Sequence, residues 1–433
     1  MSMVQDAPIY RLSTVLERTG LKADTVRAWE RRYGLPTPQR TQGDHRLYSE
    51  RDIATLKWLK ARTDEGICIS QAVALWRKLS EHGRDPLSVW PSSEAAQTVP
   101  SSALDHLRAA WLNACMAFDE RAAEQMLNQA FALYDIESVC LQVLCQGLQE
   151  IGELWYRNQA TVQQEHFAVE LIVRRLHTLV QATPPATRKE ILLIATPSTE
   201  QHSVPTLLLT LLLRRRGLQV LYLGSDVPAE RLGAILEDMQ VTALILAAQL
   251  LSSAAVLQET ARMLLGSGIP VGYGGRIFNT VPEIRHRIPA HFLGETIEEA
   301  LTSTEILLRR DLPQPEVLPP DTSLISVRNA LLQARDAIAF DVMQRMVQLG
   351  ASAADIDTGL RFTCQQLLAA LALGDLNFMR DELAWVKDLL QHRQVEASLL
   401  TTFWLTYRDA VVRHMDGQGR IIADWLEANA LSD

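Results

Sequence analysis

Cysteine is scarce and poorly spaced for structural use. The five cysteines (Cys68, Cys115, Cys140, Cys145 and Cys364) include no Cys-x-x-Cys pair, so neither a disulfide scaffold nor a zinc site is indicated. Long apolar runs are missing as well. The longest, Val241 to Leu251, falls short of the about 20 residues that a bilayer span needs, and Met1 to Tyr10 contains no signal-type apolar core. The expectation is a soluble, cytoplasmic chain with no membrane partner. Positive charge is in deficit, 42 Lys and Arg against 51 Asp and Glu for a net −9, so the chain as a whole is no polyelectrolyte partner for nucleic acid. Its 433 residues, 47% apolar and 21% charged, are ordinary for a folded chain of about three domains.

The charge is unevenly spread. Between Tyr10 and Tyr48 eight Arg and Lys face four acids, a local +4 that leaves −13 for the rest. A basic end on an acidic body is the asymmetry of a small DNA-binding head. Pro/Ser/Gly-rich stretches divide the chain at His82 to Ala103, Ala182 to Lys189 and Asp311 to Ser323. The spacing predicts a head over 8–80, a four-helix bundle over 104–181, an alternating strand and helix segment over 189–308, and a helical tail over 324–430.

In the head, helices are expected near Leu12 to Thr19 and Asp24 to Tyr33, and again over Glu50 to Glu65 and Ser70 to Leu79. A hairpin turned at Gly43-Asp44 lies between the two pairs. In the bundle, Leu107, Trp111, Cys115 and Phe118 form one apolar stripe, and Ile136, Val139, Val143, Leu148 and Ile151 another. From Glu190 the period changes. The runs ILLIAT (191–196), LQVLYLG (218–224), VTALILAA (241–248), IPVGYGG (269–275) and HFLG (291–294) suit buried parallel strands with helices between them. The fold class expected is thus multidomain α and α/β: a helix-turn-helix head with a wing, a four-helix bundle, a flavodoxin-like doubly wound parallel sheet and an extra helical tail. In such sheets ligands bind beyond the strand carboxyl ends, which directs attention to the loop after Thr196. The tail reads as a degenerate second copy of the bundle. LNACMAFD (112–119) is echoed by LLQARDAIAFD (331–341), and VLCQGL (143–148) by FTCQQL (362–367). By eye, Gly374 falls near Trp155, and Glu396-Ala397 opposite Glu165-His166.

Two regions carry chemistry. In the head, Arg27, Arg31, Arg32 and Tyr33 on one helix can read or hold duplex DNA. Arg40, His45, Arg46 and Tyr48 on the hairpin would make a wing against the backbone. A solvated basic helix would show the same charges. The order RTGLKADTVRAWERRYGLPTPQRTQGDHRLYSERD (18–52) closely resembles the head of MerR-family transcription regulators, which implies a dimer on palindromic promoter DNA. The second region joins Trp155, followed nine residues later by Glu165-His166, to the loop TPSTEQHSVP (196–205) with Glu200 and His202. A histidine can ligate cobalt through one ring nitrogen while donating the other N–H to a carboxylate, which fixes the tautomer and raises its basicity; Glu200 is the candidate partner. Taken singly, each group also suits a packed tryptophan or a solvated helix start.

Together, behind a MerR head and with YLGSDVP (222–228), YGGRIF (273–278) and FLGETIEEAL (292–301), they resemble the cobalamin-binding, light-responsive repressors of carotenoid synthesis over residues 8 to 308. The resemblance implies adenosylcobalamin as cofactor, with His202 replacing the base below cobalt and Trp155, Glu165 and His166 covering the adenosyl group above it. Gly274 and Gly275 would admit the nucleotide tail. It implies a light-broken cobalt–carbon bond, a dark tetramer that separates, and release of DNA, so a homo-oligomer, dimer or tetramer, is expected. The chain departs from the family at Pro205, where a glycine is usual, at Ala247-Ala248, where a serine is usual, and at Tyr156, where a histidine often follows the tryptophan. The alternative is a MerR-type repressor of the same architecture that answers to another signal. An enzyme would need a substrate domain or a catalytic constellation, and none is evident.

Overall fold

The computed structural model describes residues 8–40, 46–64, 69, 73, 76–77, 101–230, 232–310, 315–319 and 321–429. The hairpin turn at Gly43-Asp44 lies outside the described residues. So do most of the expected helix Ser70 to Leu79, nearly all of the linker His82 to Ala103, and residues 311–314 of the proline-rich spacer. The chain divides into two compact units, Met1–Leu104 and Asp105–Asp433.

The first unit contains α1 (Leu12–Thr19), α2 (Ala23–Tyr33), the antiparallel pair β1 (Gln39–Arg40) and β2 (Arg46–Leu47), and α3 (Glu50–Asp64). Gly20 and Gly34 end the first two helices in the left-handed region, at φ 65° and 69°, where glycine meets no Cβ penalty. Ser49 and Asp52 cap α3 reciprocally: the Asp52 N–H donates to Ser49 Oγ at 3.1 Å, and the Ser49 N–H to Asp52 Oδ2 at 2.9 Å. Val15, Val26, Trp29, Ile53, Leu56 and Trp58 are among the residues of its small core.

The second unit opens with four helical stretches. They are α4 (Ser101–Met116), α5 (Glu120–Leu133), α6 (Ile136–Val139) continued through the π-helical turn Cys140–Cys145 into α7 (Gln146–Tyr156), and α8 (Val162–Gln181). The π turn carries the buried Cys140, Val143 and Leu144, and Gly147 and Ile151 follow on the buried face of α7. One expectation fails here. Phe118 does not continue the stripe of Leu107, Trp111 and Cys115, because α4 stops at Met116 and Phe118 turns left-handed at φ 53°, its ring exposed against Phe167.

The next segment is a five-stranded, all-parallel sheet: β3 (Ile191–Pro197), β4 (Gln219–Val227), β5 (Ala243–Ala247), β6 (Val271–Gly274) and β7 (His291–Phe292). The order β4-β3-β5-β6-β7 is the doubly wound order expected. Strands β3 and β5 are buried on both faces, which is why their sequences are unbroken apolar runs instead of alternating ones. Strand order reverses between β3 and β5, the kind of switch point at which doubly wound sheets bind ligands in a crevice beyond the strand carboxyl ends.

Five helices follow: α14 (Thr322–Gln348), α15 (Ala353–Leu373), α16 (Arg380–His392), α17 (Ala397–His414) and α18 (Arg420–Asn429). Intervening α9 (Val204–Arg215), α10 (Leu232–Asp238), α11 (Leu251–Met263), α12 (Arg276–Thr280) and α13 (Ile297–Arg309) belong to the sheet segment. The tail is not packed by itself. Leu246, Leu257 and Phe278 of the sheet segment share one continuous buried cluster with Leu331, Leu367 and Tyr407 of the tail. Among the described residues no helix is long and apolar enough to cross a membrane.

Candidate functional site

Glu200 sits at the carboxyl end of β3 and is fully buried, at 0% exposure. Four donors converge on it. Oε1 accepts from the His202 backbone N–H at 3.0 Å and from His202 Nδ1 at 2.5 Å. Oε2 accepts from the Gln249 backbone N–H and from Ser253 Oγ, both at 2.6 Å. Burial alone pushes the Glu200 carboxyl up, but these hydrogen bonds outweigh it and hold it down at about 2. The carboxylate is therefore ionised, and an ionised carboxylate only accepts, so Nδ1 of His202 carries the proton. Nε2 then faces away from Glu200 on a side chain that is 56% exposed. The Glu200 hydrogen bond raises the His202 pKa against the opposing effect of burial; Arg276 pulls it down and Glu165 pushes it up. Both charges thus reach the imidazole, one from the sheet segment and one from the bundle.

Local sequence explains the placement. Thr199 takes a left-handed φ of 72° to turn the chain, its N–H donating to Asp226 Oδ1 at 2.8 Å. Pro205 lies in the first turn of α9, where its missing N–H and fixed φ suit the helix, so the residue standing at the family's glycine position begins a helix without strain. Gly274 leaves open space where a Cβ would stand, whereas a Cβ at Gly275, at φ 125°, would collide with the Ala248 carbonyl oxygen. Gly275 is thus required by its own backbone neighbour. Beyond Ala247-Ala248, Gln249 accepts from the Arg276 N–H at 3.0 Å, while its Nε2 is buried with no partner. A stranded amide donor of that kind costs about 1–3 kcal/mol, and a ligand acceptor would relieve it.

Glu165 and His166 open α8, which starts at Val162 behind a capping box of Thr161 and Gln164. The T-x-x-Q pattern was the readable signal for that start. His166 is exposed, its Nε2 3.8 Å from Glu165 Oε2. Trp155 is occupied by the tail: its ring stacks on Trp385 at 6.2 Å and lies under Arg393 at 5.1 Å. Tyr156 stacks on Trp385 at 5.8 Å, packs against His392 at 5.3 Å and donates its hydroxyl to Asp388. Sequence reasoning missed Gln249, Ser253, Arg276, Trp385 and Asp388. No spacing in the chain couples Trp385 to Trp155, 230 residues away.

Among the described residues no three His, Cys, Asp or Glu side chains gather as a metal cage. One exposed imidazole, held by a buried carboxylate, suits a metal whose other positions a cofactor fills. His202, the unpartnered Gln249 amide and the open space at Gly274 fit a corrinoid with a buried tail.

In the head, Arg27, Arg31 and Arg32 on α2 are exposed, with Arg32 5.8 Å from the half-buried Tyr33 ring. Arg40 and Arg46 pair in the β1–β2 register, and Arg46 Nε donates to both Glu30 oxygens at 3.0 Å. His45 lies outside the described residues. Tyr48 is a correction. It is fully buried, its backbone bridged to Tyr10 at 2.9 Å both ways, and it packs in the head's core instead of offering a hydroxyl to DNA. An aromatic ring at the closing end of a two-residue strand is worth more as a core anchor than in solvent.

Residues 10–78 match the MerR HTH family regulatory protein model, and residues 107–179 the B12 binding domain model. The chain is 32% identical over 299 residues to the HTH-type transcriptional repressor CarH of Myxococcus xanthus, covering 68% of this chain and 98% of that protein. It is 30% identical to the repressor CarA of the same organism, over 61% of this chain and 86% of that one. A monomethylamine corrinoid protein of Methanosarcina barkeri is similar over 46% of this chain and 96% of its own, at 17% identity and a TM-score of 0.40, a likeness too loose to bear on function.

Proposed function

This chain belongs to the family of HTH-type transcriptional repressors that join a MerR head to a B12 binding domain, and from that membership we propose a repressor whose operator affinity and assembly are set by adenosylcobalamin and reset by light. It binds promoter DNA through the head and acts in the cytoplasm. Its relatives are repressors, not enzymes. The observation that carries the cofactor reading is the Glu200–His202 pair at the reversal of strand order.

In this reading His202 would hold cobalt through Nε2, and the buried Glu200 carboxylate keeps the ring in the tautomer that leaves that nitrogen's lone pair available. Trp155, Glu165 and His166 stand on the bundle side and exclude water from the opposite face. Gly274, with the Gln249 amide, accommodates the tail of the cofactor. When bound, the cofactor supplies a cobalt–carbon bond that green or blue light breaks. Arg27, Arg31 and Arg32 enter the major groove with Tyr33 beside them, and Arg40, His45 and Arg46 follow the backbone; Arg46 must trade Glu30 for phosphate. The domains act as read from the sequence, with head, bundle and sheet carrying the switch. Coupling requires that the cofactor favour one assembly, because a ligand that binds two states equally shifts neither. The test is light scattering of the full chain with adenosylcobalamin. A dimer or tetramer in the dark, smaller and weaker on promoter DNA after illumination, is expected; an unchanged mass after complete photolysis contradicts the light mechanism.

A further inference from the structure

Helix α16 of the tail packs against the end of the bundle helix α7. On the bundle side, Trp385 stacks on Trp155 and on Tyr156, and Asp388 accepts the Tyr156 hydroxyl. On the sheet side, the chain leading into α16 is held where Arg287 donates to the Gly374 carbonyl oxygen at 3.4 Å. One helix of the tail thus covers the indole expected above a bound corrinoid. Its inner ring is no ordinary core residue, since Trp385 remains 37% exposed despite two stacked neighbours. Neither family model reaches this far along the chain.

We propose that α16 is a lid on the cofactor crevice and that Trp385 is a positioning residue, holding Trp155 and Tyr156 in a closed three-ring stack that must open before a corrinoid can seat on His202. The proposal rests on the cobalamin reading given above. A stack of three rings opens and recloses as a unit, so it slows entry without contributing a ligand to the metal. Opening also moves a helix rooted in the tail, which makes the tail's position respond to occupancy.

The test follows uptake of hydroxocobalamin by the full chain in stopped flow, comparing wild type with Trp385→Ala. The variant should take up the corrinoid about tenfold faster, the order of factor an aromatic stack contributes, with the same final spectrum. In the ligand-free protein, hydrogen exchange should rise at residues 154–165 in the variant and stay unchanged in β3 and β5. Tyr156→Phe keeps every ring and removes only the hydroxyl contact, and Asp388→Ala removes its acceptor; each should accelerate uptake by a smaller factor, which holds the test open should Trp385→Ala fold poorly. Equal or slower uptake by the variants overturns the lid alone. No uptake by wild type or any variant refutes the cobalamin reading and the lid with it.

Discussion

The bundle and the tail contain echoing sequence, yet they use it differently. Asp119 follows the end of α4 and caps α5, its carboxylate accepting from the Ala122 N–H at 2.9 Å. Asp341, its echo, lies inside the unbroken helix α14, because Ile338, Val342 and Met346 carry the buried stripe straight through it. There its carboxylate is taken by Arg413 at 2.6 Å and His414 at 2.7 Å. A second contrast lies between the later helices. In the bundle, Tyr156 and Val162 are joined by a short turn, whereas in the tail the stretch from Leu373 to Ala397 holds a 3-10 turn and α16. A short turn in one segment is a whole helix in the other, and that helix packs on the end of the first segment's α7. The lesson is that local apolar continuity decides whether a helix ends, and helix ends decide where polar side chains gather.

Four experiments test this contrast. The largest effect concerns independence. Leu367 is fully buried in the cluster that the tail shares with the sheet. Leu367→Ala should therefore cost about 2–5 kcal/mol and shift the urea transitions of tail and sheet together; a tail that melts alone would show it to be a detachable module. Next comes ligand chemistry, which the account assigns to the sheet and bundle and denies to the tail's aligned residues. Glu200→Gln should weaken cobalamin binding by about 10–100-fold in equilibrium dialysis, while Glu396→Gln, opposite Glu165, leaves it unchanged. Equal losses would erase the distinction.

The third effect is smaller. Asp119→Ala removes a helix cap and should lower stability by about 1 kcal/mol in chemical denaturation; no loss would mean that α5 is held by packing alone. The smallest belongs to Asp341, where Asp341→Asn removes a half-exposed ion pair worth below about 1 kcal/mol. Its carboxyl is held below the usual range by the His414 hydrogen bond first, against some desolvation, and then by Arg413. A depressed carboxyl stabilises the fold above its ordinary pKa of 3.8 and loses that contribution as pH falls through the lower folded value. The difference between wild type and Asp341→Asn should accordingly vanish on acidification; a difference independent of pH would contradict the assignment.

The architecture was largely legible because its signals are local. Apolar runs marked β3 and β5, and Gly20 and Gly34 close the head helices at the ends expected of them. Glu200 and His202 are two residues apart, so their hydrogen bond was readable as a spacing. What escaped was either long-range or conditional. Ser253, Gln249 and Arg276 join the Glu200 network only once the sheet has folded, and Trp385 reaches Trp155 only through tertiary packing. Tyr48 misled because a tyrosine beside arginines reads as a phosphate contact, whereas the strand buries its ring. Phe118 misled because helical spacing continues in the sequence past the residue where the helix stops.

The account stands most directly on the absorption spectrum of the full chain mixed with adenosylcobalamin in the dark, passed through a sizing column and then illuminated, beside His202→Ala. Wild type should elute coloured, with cobalt ligated by an imidazole, and change its spectrum irreversibly in light, while the variant loses the ligated form. Wild-type protein that elutes colourless would contradict the central claim.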